Sequence, residues 1–297
     1  LGIDLAEWNE RFGPAEELNR MSAFKKSANI TGLDTLPEII EAASGRNVYV
    51  TLNSGGYSPE QEVFIDGLLE QLAELGVAGI ILGDVSFAGR VKSLGMKPIA
   101  STMVGIYNED IAKFCMENGF ERLILPRDLT LSEIYAIKSA VPELEYECFL
   151  MRNGCRYSDS NCLGRNSDRF GAICSYLDRS QIHYGGMTRE IFEAHDEAVF
   201  NHHVYAQAFH KAACGMCAIW DLMQMGIVAG KVVGRADGWR SVKTDIRELA
   251  ENISIAEGCA TREEYLNKMR MPYRYDDICY KGCNCYFPEI RYGAKER

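Results

Sequence analysis

Short apolar runs alternate with helical periodicity through the first half of the chain, and this alternation restricts the fold more than any other feature. The β-branched run at residues 47–53 predicts a buried strand. Residues 59–75 predict a helix, with an apolar stripe of Val63, Phe64, Leu68, Leu69 and Leu72. Further strands are predicted at 79–84, 98–102, 122–126, 144–150 and 230–234, and further helices at 109–118, 131–141, 219–225 and 242–252. This order predicts an α/β fold with a parallel sheet, and a TIM-like (β/α) barrel fits it.

Polar residues stand where several predicted strands end, namely Asn53, Asp84, Ser101 and Arg127. In a (β/α) barrel the active site gathers at the C-terminal ends of the strands. The alternative interpretation, that these residues only cap or begin helices, is equally compatible with each one. Arg127 and Arg235 are candidates for binding an anionic substrate, because a guanidinium group matches a carboxylate. A salt bridge within the barrel is the alternative role for both.

Four cysteines, Cys155, Cys162, Cys174 and Cys217, have a spacing typical of a metal or cluster site. Residues 156–186 are rich in Ser, Asp, Asn and Gly, so this irregular segment needs another restraint, which a metal would supply. Thiolates are soft ligands that suit an iron–sulfur cluster or zinc. Cys214 could replace Cys217, because both thiols lie near one helix start. Small buried apolar residues are the alternative interpretation of all four.

The amino-acid composition of the chain restricts the classes of molecule that it is expected to bind. The formal net charge of −10 disfavours nucleic acid, which is bound through clustered Lys and Arg, and favours a small-molecule substrate. Lys231, Arg235, Arg240 and Lys243 are close in sequence, but a solvated face is the commoner explanation of such a group. Eleven cysteines without a signal peptide favour reduced, metal-binding thiols and a cytoplasmic location. The sequence contains no apolar stretch long enough to predict a membrane span.

Two further groups carry ligand-type side chains. Cys279, Cys283 and Cys285 could form a second metal site, and a C-terminal tail that packs without metal is the alternative. Histidines 195, 202, 203 and 210 lie on a helix predicted at 189–211, where a surface or interface role is favoured over metal binding. Cys115 and Cys148 fall within predicted elements and are expected in the core.

Several motifs together resemble the U32 peptidase-like family. Its signature of Glu-x-Phe followed by two spaced cysteines is matched by residues 147–149 with Cys155 and Cys162. Segments 125–131, 169–174, 217–219 and 231–235 are similar to other elements of that family. The chain departs from the signature at Arg152 and Asn153, which replace small residues, at Ser160, which replaces Gly, and at Val233, which replaces Glu.

The resemblance implies a TIM-like barrel with a four-cysteine [4Fe–4S] cluster on Cys155, Cys162, Cys174 and Cys217, with zinc as the alternative metal. The family's usual first strand would lie before Leu1, so either the barrel lacks its first β/α unit or the sequence begins after it. The predicted organisation is a barrel at 1–252, with a cysteine-rich insertion at about 151–217, and a C-terminal extension at 253–297.

Several members of the family act in oxygen-independent hydroxylation of ubiquinone precursors or of bases in ribosomal and transfer RNA. We therefore expect iron–sulfur-dependent, oxygen-independent modification of a small or aromatic substrate, in which hydroxylation is favoured. One alternative is a non-catalytic cluster subunit beside a homologous U32 partner, and an electron donor is a further expected partner. The other alternative is a U32-type peptidase, although neither a His-Glu-x-x-His motif nor a Gly-x-Ser-x-Gly motif is present.

Overall fold

The computed structural model describes residues 1–14, 16–19, 28–155, 159–160, 190, 193, 212–234, 237–272 and 284–290. These residues form two compact units. The first unit contains residues 1–148, 159–160 and 225–229, and the second contains the remaining described residues. The predicted division after residue 252 and the cysteine-rich insertion stay predictions. In the described part of the chain, no helix has both the length and the apolar character needed to cross a membrane.

The strands of the described residues include the six predicted ones and two short N-terminal strands that the sequence did not predict. They are Ile3–Asp4 (β1), Ile30–Thr31 (β2), Tyr49–Leu52 (β3), Gly79–Leu82 (β4), Lys97–Ala100 (β5), Arg122–Ile124 (β6), Glu145–Met151 (β7) and Ala229–Val232 (β8). One sheet contains β3 to β8 in chain order, and neighbouring strands from β3 to β7 are parallel. Strand β1 pairs in parallel with β2, and a bridge between Gly2 and Thr51 joins it to β3. The α/β class is confirmed, and this sheet is compatible with a TIM-like barrel, whose closure stays a prediction.

Several of the described helices begin at a side-chain cap. The described helices are Ala6–Phe12 (α1), Leu36–Ala42 (α2), Pro59–Glu74 (α3), Ala88–Ser93 (α4), Glu109–Glu117 (α5), Leu131–Ala140 (α6), Ile219–Gln224 (α7), Trp239–Glu257 (α8) and Arg262–Lys268 (α9). Reciprocal capping boxes begin α3 at Ser58 and Gln61 and α6 at Thr130 and Glu133. The predicted apolar stripe of α3 was wrong at Val63, which is 71% exposed, since Ile65, Leu68, Leu69 and Leu72 form the buried face. Cys115 and Cys148 are buried, as predicted.

Charged side chains form a layer at the start of β5, β6 and β7. Glu145 accepts hydrogen bonds from Lys97 Nζ at 2.8 Å and from Arg122 Nε at 2.7 Å. Burial acts to raise the pKa of Glu145, but the hydrogen bonds from Lys97 and Arg122 outweigh it, so that the pKa lies below its usual value. These residues lie at the N-terminal ends of the strands, where a (β/α) barrel uses its residues for stability rather than for catalysis.

Candidate metal centre and strand-end residues

Two of the predicted strand-end residues contact each other in the first unit. Asn53 Nδ2 donates to Ser101 Oγ at 3.3 Å, which links the ends of β3 and β5. Ser101 Oγ also accepts from the Met103 backbone N–H, and Asp84 accepts from the Ser86 backbone N–H at 3.0 Å. Ser101 and Asp84 therefore cap short 3-10 turns, as the alternative interpretation expected.

Arg127 forms an ion pair just after β6. Its Nε lies 2.9 Å from Asp159 Oδ2 and its terminal nitrogen 2.8 Å from the same oxygen, and the two side chains are only 11% and 9% exposed. Beside this pair, a Cβ atom added to Gly105 would lie 2.9 Å from Ser160 Oγ, so the absence of a side chain at Gly105 lets Ser160 approach. The salt bridge expected as the alternative role of Arg127 is present, and it holds the segment at residues 159–160. Substrate binding by Arg127 stays a prediction.

In the second unit, the chain leaves β7 through two residues in the left-handed region. Arg152 has a φ of 60° and Asn153 a φ of 45°, where L-residues with side chains are strained. Arg152 Nε forms an ion pair with the fully buried Asp245 of α8. Asn153 Nδ2 donates to Val233 O at 2.8 Å and to Asp237 Oδ2 at 3.0 Å. These contacts fix the backbone just before Cys155.

The segment that carries Cys214 and Cys217 pairs with the end of β7. Cys214 forms an antiparallel bridge with Met151, through hydrogen bonds from Arg152 N to Ala213 O and from Gly215 N to Leu150 O, both 2.8 Å long. Between the two cysteines, Met216 O accepts from Tyr265 Oη at 2.6 Å. Burial raises the pKa of Tyr265, and the charges of Cys217 and Cys214 raise it further. Both thiols are buried, at 8% exposure each.

The tail forms the third strand of this arrangement. Cys285 forms a parallel bridge with Cys214, through hydrogen bonds from Cys214 N to Asn284 O at 2.8 Å and from Tyr286 N to Cys214 O at 2.9 Å. Tyr286 Oη also donates to Arg152 O at 2.7 Å. Residues paired across neighbouring strands point to the same face, about 5 Å apart. Sequence reasoning missed this neighbour of Cys214, because a single bridge between distant segments produces no periodic signal.

A family model described as peptidase family U32 matches residues 18–272. This chain belongs to peptidase family U32. It is 30% identical over 123 residues to the tRNA hydroxylation protein P of Escherichia coli (strain K12), a match that covers 41% of this chain and 27% of that protein.

Other proteins add to this similarity. The chain is 29% identical over 139 residues to the tRNA hydroxylation protein P of Helicobacter pylori (strain ATCC 700392 / 26695), covering 44% of this chain and 32% of that protein. It is 27% identical over 164 residues to the tRNA hydroxylation protein P1 of Bacillus subtilis (strain 168), a match that covers 51% of this chain and 38% of that protein. The chain thus spans only 27% to 38% of these relatives' lengths. The structure of the U32 peptidase Mk0906 aligns over 55% of this chain and 68% of that chain, with a TM-score of 0.39 and 15% identity.

Several predicted site residues of this U32 protein lie outside the described residues. They are Cys162, Cys174, Arg235, Cys279, Cys283 and the histidines at 195, 202, 203 and 210. Among the described residues, no group of three or more His, Cys, Asp or Glu side chains is close enough to hold a metal ion. The four-cysteine ligand set and the second cysteine site therefore stay predictions. Cys155, Cys214, Cys217 and Cys285 are nevertheless all placed in the second unit, and thiolate donors fit an iron–sulfur cluster or zinc.

Proposed function

We propose that this U32 protein is an iron–sulfur-dependent enzyme that carries out a hydroxylation-type modification of tRNA. The observation that carries the proposal is its similarity to three proteins named for tRNA hydroxylation, within one family. These names favour a tRNA substrate over the small or aromatic molecule expected from the sequence. The net charge of −10 argued against nucleic acid, but net charge does not exclude a local basic surface.

The proposed cofactor is a [4Fe–4S] cluster held by Cys155, Cys162, Cys174 and Cys217, with Cys214 as the alternative to Cys217 and zinc as the alternative metal. When bound, such a cluster supplies electron transfer or polarises an oxygen donor, without a need for molecular oxygen. The chain's own residues prepare the ligands. Arg152 and Asn153 are anchored on both sides of the turn that leads to Cys155. Tyr265 holds the backbone between Cys214 and Cys217.

The peptidase alternative needs a reactive nucleophile, and two described thiols are poor ones. Burial raises the pKa of Cys115 to about 11 and that of Cys148 still higher, so neither forms a thiolate at neutral pH. If Cys155 and Cys217 bind the cluster, they are not available to attack a peptide bond. A cysteine peptidase would retain its activity without iron and lose it on a single cysteine substitution.

The first experiment measures iron, acid-labile sulfide and zinc in protein purified without oxygen, for the wild type and for Cys155→Ala. Cys259→Ala is the control, because Cys259 is another thiol of the second unit, which is buried and donates to Ile255 O at 3.1 Å. We expect about four irons and four sulfides per chain in the wild type and in the control, and loss of both in Cys155→Ala. If the wild type contains zinc and no sulfide, zinc replaces the cluster as the proposed metal. If the wild type contains no metal, the proposed metal site is refuted.

The second experiment tests the substrate. Unmodified tRNA is incubated without oxygen with the purified protein, an electron donor and an oxygen donor, and its nucleosides are analysed by mass spectrometry. We expect a nucleoside that has gained one oxygen atom with the wild type and not with Cys155→Ala. Modification of a small aromatic molecule, with tRNA unchanged, would contradict the tRNA substrate and restore the expectation from the sequence.

A non-catalytic cluster subunit is the second candidate function. The observation that favours it is the departure from the family signature at Arg152, Asn153, Ser160 and Val233. Under this function the isolated chain would bind the cluster, and the oxygen-bearing nucleoside would form only after a homologous U32 partner is added. Activity of the isolated chain would contradict it.

A further inference from the structure

The first half of α8 exposes an unusual set of side chains in the second unit. Trp239 is 67% exposed and Ile246 54% exposed, although both are large and apolar. Trp239, Lys243 and Ile246 follow one another at helical spacings of four and three residues, so they share a face. The exposed cations of this half-helix complete what we call the α8 strip, which consists of Trp239, Arg240, Lys243, Ile246 and Arg247.

The α8 strip is basic within an acidic chain. No carboxylate of the described residues lies within ion-pair distance of Arg240, Lys243 or Arg247. The acidic residue within Trp239–Arg247 is Asp245, which is fully buried and paired with Arg152. Within the described ranges, three positive charges therefore have no carboxylate at ion-pair distance, while the whole chain carries −10.

An aromatic platform lies among these charges. The Arg240 guanidinium carbon is 5.1 Å from the centre of the Trp239 ring, a cation–π arrangement. An open hollow of about 390 Å³ lies beside this ring, lined by Gly234, Asp237, Trp239, Val242, Lys243 and Ile246. The Asp237 carboxylate in this lining accepts a hydrogen bond from Asn153 Nδ2. The hollow thus combines an exposed indole with a cation.

We propose that the α8 strip binds a single-stranded segment of RNA, with a base stacked on Trp239 and phosphates at Arg240, Lys243 and Arg247. Unpaired bases stack on aromatic side chains, and the backbone follows grouped cations. A purely apolar partner would gain no binding energy from the three positive charges of the α8 strip. Charge complementarity therefore favours a polyanion as the partner. The inference rests on the proposed function, because it identifies where the tRNA substrate docks.

The test measures binding of a full-length tRNA transcript and of a single-stranded loop oligonucleotide by fluorescence anisotropy across a range of salt concentrations. Trp239→Ala is compared with Tyr135→Ala, which removes another exposed aromatic side chain. One triple variant combines Arg240→Ala, Lys243→Ala and Arg247→Ala. Its control is a second triple variant that combines Lys92→Ala, Lys113→Ala and Lys268→Ala. This control removes three exposed charges that are already paired with carboxylates.

We expect Trp239→Ala to weaken binding at least about five-fold, the lower end of the effect of one stacked base. The triple variant should flatten the slope of log K against log salt by about 2, since each phosphate contact on a single strand contributes roughly 0.7. Both control variants should bind as the wild type does. Binding equal to that of the controls would overturn the inference, and so would a wild type that does not bind RNA.

Two outcomes separate this inference from the proposed function. If the wild type modifies tRNA and the strip variants bind it normally, the α8 strip is refuted while the function stands. If binding depends on the strip but no nucleoside gains oxygen, the function is refuted while the strip stands.

A change of oligomeric mass in Trp239→Ala, with RNA binding intact, would show that a second copy covers the strip and would overturn the inference.

Discussion

The ion pair between Arg152 and Asp245 gives the sharpest prediction about stability. Asp245 is fully buried and the Arg152 side chain is 11% exposed, so removal of one partner leaves a charge in the interior. In the described structure a terminal nitrogen of Arg152 is already buried without a hydrogen-bond partner, so this cation has little other compensation. Breaking a buried pair costs about 3–5 kcal/mol, which we expect for Asp245→Ala.

Arg152→Gly should cost less than Asp245→Ala. The substitution removes the cation that pairs with the buried Asp245 carboxylate, at a cost of about 3–5 kcal/mol. It also releases the strain of a side chain at a φ of 60°, which is worth about 1–2 kcal/mol because glycine adopts this region freely. The expected net loss is about 1–4 kcal/mol. The double variant removes both charges, and should be more stable than either single variant.

Hydrogen exchange of the α8 amides is measured at increasing urea concentrations. It reports the free energy of opening of the second unit for each of these variants. Glu251→Ala is the control, because it removes an exposed carboxylate of the same helix that pairs with Arg270, and it should cost below about 1 kcal/mol. The reasoning would be refuted if Asp245→Ala cost no more than this control. A double variant less stable than both single variants would also refute it.

Three further predictions concern pH and the cysteines. Because the folded pKa of Glu145 lies below its usual value, its carboxylate stabilises the fold above the unfolded pKa of about 4.3, and this contribution is lost as pH falls through the folded pKa. Glu145→Gln should therefore lower the melting temperature more at pH 7 than at pH 3, and an equal effect at both would contradict the ion-pair layer. Cys217→Ala should lose the cluster iron while Cys214→Ala retains it, and the reverse result would reassign the ligand. Cys285→Ala should remove a second bound metal and leave the four cluster irons, and unchanged total metal would favour a tail that packs without metal.

The sequence predicted most strands correctly, because short apolar runs such as residues 79–84, with glycine at their ends, have the length and composition typical of buried strands. It missed α1, α2, α4 and α9, whose lengths of six or seven residues give too few turns for a clear period. Val63 was misplaced because it lies beside the buried face of α3, and helical periodicity resolves such positions poorly. The partner of Arg127 was not identifiable, since Asp159 is 32 residues away and an ion pair leaves no pattern in sequence.

The departure from the family signature at Arg152 links the two candidate sites of the second unit. Glycine would adopt the left-handed conformation before Cys155 without strain, whereas Arg152 is held there by contacts with Asp245 and Tyr286. The same ion pair offsets the negative charge of Asp245, which is buried in the same half of α8 as the cations of the α8 strip. Substitution at Arg152 is therefore expected to disturb both the cysteine segment and the charge of the strip. Arg152→Gly should weaken RNA binding as well as stability, whereas Arg152→Gly with Asp245→Ala should restore RNA binding.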